Sequence, residues 1–275
     1  MTWVQALILG ALQGATEFLP ISSSGHLVLF PWLFGWDIDP EVLFPFAVVL
    51  HWGTLLAVIA AFWSDLVRLI SAAFHGIRKR DPFGTADAKL AWLLIAATIP
   101  AALAGVLFSD LIRGAFAQPQ VVALLLIVNG GLLMLGEWFR TRRSSVSALS
   151  EFELPDAIVI GLFQVMALLP GISRSGSTIV GGLSRGLARL ESARFALLLA
   201  VPIMLGAGIV AAGDFRTITS DSAQEFAVGF IAAAVVGFAA IRWLLQFLSH
   251  GSLRGFAAYC AVLGLAAVAI AVFRA

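Results

Sequence analysis

The chain is short of what soluble proteins and redox or metal enzymes are built on. Only 12% of its 275 residues are charged, too few to clothe a soluble domain of ordinary composition. Cys260 is the single cysteine, so an intrachain disulfide is excluded, and its place in the last apolar run reads as a small core residue. No HExxH, CxxC or GxxxxGK[ST] pattern occurs, which leaves zinc hydrolysis and ATP use without support. With 17 basic and 16 acidic residues the net charge is +1, and no nucleic-acid partner is expected.

What the chain does have is apolar length. Hydrophobic residues make up 60% of it and the mean hydropathy is +0.99, so the bilayer is its expected solvent. Runs at 46–63, 91–108, 120–138, 195–212, 226–245 and 256–273 approach the roughly 20 residues that span a membrane. They are unalternating and rich in Leu, Ala, Val and Gly, which predicts six transmembrane helices rather than a barrel of short alternating strands. The start, MTWVQALILG, has no basic leader or small-residue cleavage site, so no removable signal peptide is expected. Basic residues gather in 64–90, at Arg140, Arg142 and Arg143, at Arg185, Arg189 and Arg194, and around Arg242 and Arg254. These predict the cytoplasmic side. Asp37, Asp39 and Glu41, the stretch 109–119, and Asp214 to Glu225 then fall outside with both termini.

Two segments interrupt this pattern and repeat each other. LPISSSGH at 19–26 and LPGISRSGST at 169–178 share one design, with Gly10, Gln13, Ser22, Ser24 and Gly25 recurring 151 residues later as Gly161, Gln164, Ser173, Ser175 and Gly176. Glu41 and Phe46 recur as Glu191 and Phe195 after small shifts. The expectation is a single membrane domain over 1–275, duplicated as halves of about 1–140 and 152–275. Residues 3–18 and 25–35, then 156–169 and 176–187, are too short to span and read as two re-entrant helix-loop-helix segments. They enter from opposite sides, which makes an all-α polytopic protein with an inverted-topology repeat whose tips meet inside the membrane. Irregular backbone at that depth must line a cavity or be buried in protein.

The tips hold the residues that carry chemistry. Gln13 and Glu17 are four apart and share a helix face before Pro20. A carboxylate there costs about 3 kcal/mol on insertion scales, so Glu17 should face the cavity and meet a cation or an arginine. Ser22, Ser23 or Ser24, and Ser173 or Ser175, are placed to cap the helices that follow. Two capped N-termini with Gly25 and Gly171 in the loops and Arg174 between them predict an anion site suited to phosphate. His26, the only histidine in either motif, is a candidate base, acid or nucleophile. His51, His75 and His250 have no comparable context.

At this point the chain resembles the undecaprenyl-diphosphate phosphatase family of bacitracin-resistance membrane proteins. The resemblance rests on QGATEFLPISSSGH from Gln13 to His26, on PGISRSGST from Pro170 to Thr178, and on LLAVP from Leu198 to Pro202. It implies hydrolysis of undecaprenyl diphosphate to the monophosphate carrier, with inorganic phosphate released, in a bacterial plasma membrane and with the site open to the periplasmic face. The implied partners are the polyprenyl diphosphate lipid and membrane lipids; a homodimer is left open. The implied cofactor is a divalent cation, Mg2+ or Ca2+, held by Glu17 with Gln13, a position that is Glu in many relatives. Arg174 with Ser173, Ser175 and Thr178, and the first loop's Ser22, Ser24 and Gly25 with Gly171, would bind the diphosphate. Ser23 and His26 would be nucleophile and base, with attack by Ser23, by His26 or by water all open. A transporter or flippase of polyprenyl phosphate or another anion is the alternative, because inverted repeats with broken tips are also a transporter architecture.

Overall fold

Six helices are long and apolar enough to cross a membrane: Val42–Ala61, Ala86–Leu107, Pro119–Arg142, Arg189–Ile209, Ala223–His250 and Arg254–Arg274. The protein is thus a multi-pass membrane protein, and each predicted run finds its helix. The computed structural model describes residues 1–142, 148–210 and 223–274, without the side chains of residues 40, 41 and 210. Arg143, the Glu41 side chain, residues 211–212 of the fourth predicted run and residues 214–222 of the acidic connection lie outside that description. Among the described residues the secondary structure is helical, with no strand.

In chain order the helices are α1 (Trp3–Phe18), α2 (Ser23–Phe34), α3 (Pro40–Ala61), α4 (Trp63–Arg78), α5 (Ala86–Leu107) and α6 (Ser109–Phe116). They continue with α7 (Pro119–Arg142), α8 (Leu154–Met166), α9 (Arg174–Ser184), α10 (Arg189–Val210), α11 (Ala223–His250) and α12 (Arg254–Arg274). The four short helices around the motifs, α1, α2, α8 and α9, fall within a few residues of their expected places. Two helices were not expected. α4 and α6 occupy stretches read as connections, because their charge conceals an apolar stripe: Trp63, Val67, Ile70, Phe74 and Ile77 recur at helical spacing on α4 and are exposed.

Local chemistry sets the ends of the motif helices. Thr2 caps α1 in a reciprocal box, its hydroxyl accepting from Gln5 N–H at 3.2 Å while the Gln5 side chain accepts from Thr2 N–H at 2.8 Å. Pro20 disfavours helical backbone at Leu19, which is extended, and α1 stops. The helix then has to be held at depth. Gly10 and Gly14 let α1 lie against the backbone of α11, since a Cβ on Gly14 would come within 2.6 Å of the Ala233 carbonyl oxygen. Likewise α8 packs on α5, and α7 packs on α12, α9 and α2.

The outer surface is apolar where that of a soluble protein would be polar, and a small set of polar side chains is buried. Large apolar side chains such as Leu103, Val106, Ile209 and Val262 are exposed, whereas Gln13, Glu17, Ser22, His26, Asn129, Ser173 and Ser175 are buried. Polar groups in an apolar medium must satisfy one another, so these buried residues gather where the two motif loops meet.

Candidate active site

The two loops are hydrogen-bonded directly to each other. Ser22 Oγ accepts from Gly25 N–H, capping α2, and from Gly171 N–H in the other loop, both at 3.2 Å. Ser173 Oγ accepts from Gly176 N–H at 3.1 Å, capping α9. The Ser173 and Ser175 hydroxyls donate back across the joint to the Leu19 carbonyl at 3.4 and 3.0 Å. Gly171, at φ +102°, is the only residue type that fits here: a Cβ would meet the Val122 carbonyl oxygen at 2.5 Å, and one on Gly25 would press Gly171 Cα at 3.2 Å. Asn129 of α7 clamps both loops, with Nδ2 donating to the Pro20 carbonyl and Oδ1 accepting from Ser173 N–H, each at 3.0 Å.

This joint aims three side chains at one carboxylate. Glu17 Oε2 accepts from Gln13 Nε2 at 2.8 Å and from Ser23 Oγ at 2.5 Å, while Oε1 accepts from Arg174 Nη2 at 2.8 Å. His51 Nε2 lies 3.7 Å from Oε2. Glu17 is buried; Ser23, Ser24 and Arg174 are partly accessible. Buried Gln13 Oε1 and Arg174 Nη1 have no hydrogen-bond partner, which leaves one acceptor and one cationic donor beside the carboxylate for a ligand to engage. Serine, carboxylate and arginine together can deprotonate a hydroxyl and stabilise charge on a phosphoryl oxygen.

The remaining expected site residues are placed differently. His26 does not pair with Ser23: its Nδ1 lies 2.7 Å from the Ser22 carbonyl and its Nε2 2.7 Å from the Tyr259 hydroxyl. Ser24 Oγ pairs with Ser22 Oγ at 3.2 Å. Thr178 Oγ1 donates to the Arg174 carbonyl of its own helix at 2.8 Å. In the first loop Ser22 sits at φ +70° and ψ +96°, a conformation that costs a non-glycine residue about 1–3 kcal/mol. It persists because its hydroxyl holds two amides and its carbonyl is held by His26.

Residues 6–266 match the family described as bacitracin resistance protein BacA. The chain belongs to that family. An undecaprenyl-diphosphatase of Pelotomaculum thermopropionicum is 40% identical over 274 residues, covering 100% of this chain and 98% of the relative. One of Thermomicrobium roseum is 42% identical over 278 residues, covering 98% of each. Another, of Rubrobacter xylanophilus, is 44% identical over 260 residues, covering 93% of each.

Several residues around the joint were not read from the sequence. Asn129 and Tyr259 sit singly in apolar runs, where an isolated polar residue at membrane depth was itself a signal. His51, four residues before Leu55 in an ordinary span, is beside Glu17 only because α3 lies against α1. Met204, whose sulfur is 3.7 Å from Arg174 Nη2, carried no sequence signal.

Proposed function

We propose that the protein hydrolyses undecaprenyl diphosphate to undecaprenyl phosphate and inorganic phosphate, recycling the lipid carrier for peptidoglycan and other envelope polymers and thereby conferring bacitracin resistance. The observation that carries the reading is the convergence of Ser23 and Arg174 on the two oxygens of Glu17. The names of the relatives supply the substrate.

The reaction runs in two displacements. Ser23 Oγ attacks the terminal phosphorus and passes its proton to Glu17, the bridging P–O bond breaks, and undecaprenyl phosphate leaves as the dianion. Water then splits the phosphoserine, Glu17 returns the proton to Ser23 Oγ, and dihydrogen phosphate departs. Arg174, freed from Glu17 as that carboxyl takes the proton, turns its guanidinium to the phosphoryl oxygens, where a planar fork binds better than a point charge.

A divalent cation, Mg2+ or Ca2+, fits the donors present. Among the described residues no three His, Cys, Asp or Glu side chains cluster, but the unpartnered Gln13 Oε1 lies beside the Glu17 carboxylate. Those two oxygens would hold the ion, with water and substrate phosphates completing its shell as is usual for Mg2+. When bound it neutralises phosphate charge. In this reading α1–α2 and α8–α9 are re-entrant hairpins of an inverted repeat in a bacterial plasma membrane. The head group reaches the joint from the periplasmic face, and the prenyl tail lies among lipid-facing helices.

The test is phosphate release from undecaprenyl diphosphate by detergent-purified protein, with magnesium or chelator, beside Glu17→Ala and Arg174→Ala. Metal-dependent release that both variants lose while still folded is the expected result. No release by folded wild type in any metal, with anion uptake into proteoliposomes instead, would replace hydrolysis by transport.

A further inference from the structure

We propose that Tyr259 is a positioning residue: through His26 it fixes the Ser22 carbonyl, and with it the turn that presents Ser23 to Glu17. The inference rests on Ser23 being the nucleophile, as read above. Tyr259 is the only tyrosine in the chain and reaches His26 from α12, 233 residues away in sequence.

The geometry fixes who donates to whom. A carbonyl can only accept, so the His26 nitrogen facing the Ser22 oxygen at 2.7 Å, Nδ1, carries the hydrogen. In a neutral ring Nε2 is then the acceptor, and the group 2.7 Å from it, the Tyr259 hydroxyl, is the donor. The two rings are parallel within 2°, with centroids 5.7 Å apart, so the bond to the phenol fixes the plane of the imidazole. Both nitrogens are engaged, and neither engages Ser23. The ring is therefore built to hold a backbone rather than to accept a proton from the neighbouring serine.

What it holds is the strained turn of the first loop. Ser22 is at positive φ, whereas its counterpart Ser173 is at φ −78° and ψ +126°, an ordinary capping conformation. The residue corresponding to His26 in the second loop is Ser177, whose buried hydroxyl has no partner. The brace exists only where a strained turn must place a hydroxyl 2.5 Å from a carboxylate. Removing the tyrosine hydroxyl frees Nε2 and lets the ring rotate, which loosens the Ser22 carbonyl without touching substrate.

The experiment measures kcat and KM for phosphate release by wild type, Tyr259→Phe, His26→Asn and His26→Ala, with melting temperatures and the 15N spectrum of histidine-labelled protein. Asn keeps an N–H near the Nδ1 position but cannot act as a base at neutral pH. The expected result is a kcat about tenfold lower in Tyr259→Phe with KM unchanged, and His26→Asn at least about tenfold more active than His26→Ala. In wild type the His26 nitrogens should report the Nδ1–H tautomer, and the Nε2 signal should move in Tyr259→Phe. A wild-type kcat in Tyr259→Phe overturns the proposal. So does a His26→Asn as inactive as His26→Ala at wild-type melting temperature, which would make His26 the proton acceptor. If wild type releases no phosphate at all, the phosphatase reading fails instead, while the nitrogen signals still decide whether Tyr259 holds the ring.

Discussion

The loops at 19–26 and 169–178 are locked by the same bonds and do different things. In each, a serine caps the next helix through the glycine three residues on, Ser22 to Gly25 and Ser173 to Gly176, and pairs with the serine two residues on. The differences fall at the positions between and beside those caps. Ser23 corresponds to Arg174, Glu17 to Leu168 and His26 to Ser177. The first two corresponding side chains meet on opposite oxygens of one carboxylate, supplied by the first copy alone. The bonds that the two loops share hold them together, and Glu17, Ser23 and Arg174, which meet at the carboxylate, all come from positions where the loops differ.

The largest break in that comparison should come at the diverged positions. Ser23→Ala is expected to lower kcat for phosphate release by roughly 10³-fold or more with the melting temperature retained, because Ser23 is partly accessible and caps nothing. Glu17→Gln is expected to lose as much activity and stability besides. It removes the carboxylate from the partly buried Arg174, and breaking a buried pair costs about 3–5 kcal/mol. Arg174→Lys keeps the charge but not the fork, and about 10²-fold of kcat should go with it.

Which of these positions could be read from the sequence follows from their physics. The six spans and the helix breaks at Pro20 and near Pro170 are written in hydropathy and in residues that forbid a helix, so they were legible. Glu17 and Arg174 were legible because ionised groups in an apolar chain need a reason. The roles within the site were not. Whether Ser23 faces Glu17 or His26 depends on the φ of Ser22, and nothing in SSSGH announces a positive φ at a serine. Tyr259 and Asn129 act across 233 and 109 residues of chain, and contact at such separation is set by helix packing rather than by local pattern. α4 and α6 were missed because charge was read as connection when it marked one face of an amphipathic helix.

A smaller effect should follow from loosening the joint while leaving both copies intact. Asn129→Leu leaves the Pro20 carbonyl and the Ser173 N–H buried without their partner, at roughly 1–3 kcal/mol each. The expected outcome is a lower melting temperature and a kcat several-fold down, with metal dependence unchanged. Normal stability in this variant would show that the loops are held by their own serine bonds and that Asn129 is dispensable.

The smallest effect should come from Ser173→Ala, and it tests the division between scaffold and chemistry most sharply. Its hydroxyl caps α9 and reaches Leu19, and it is buried; loss of a cap costs about 1 kcal/mol. Phosphate release is therefore expected to stay within about threefold of wild type, with a modest fall in melting temperature. The corresponding Ser22→Ala should cost more stability, because it releases the Gly25 and Gly171 amides together and leaves the positive φ unsupported. If Ser173→Ala instead raises KM for undecaprenyl diphosphate by tenfold or more at unchanged stability, its hydroxyl binds the diphosphate directly. The second loop would then contribute a ligand contact besides the one proposed for Arg174, and the capping serines would belong to the chemistry as well as to the fold.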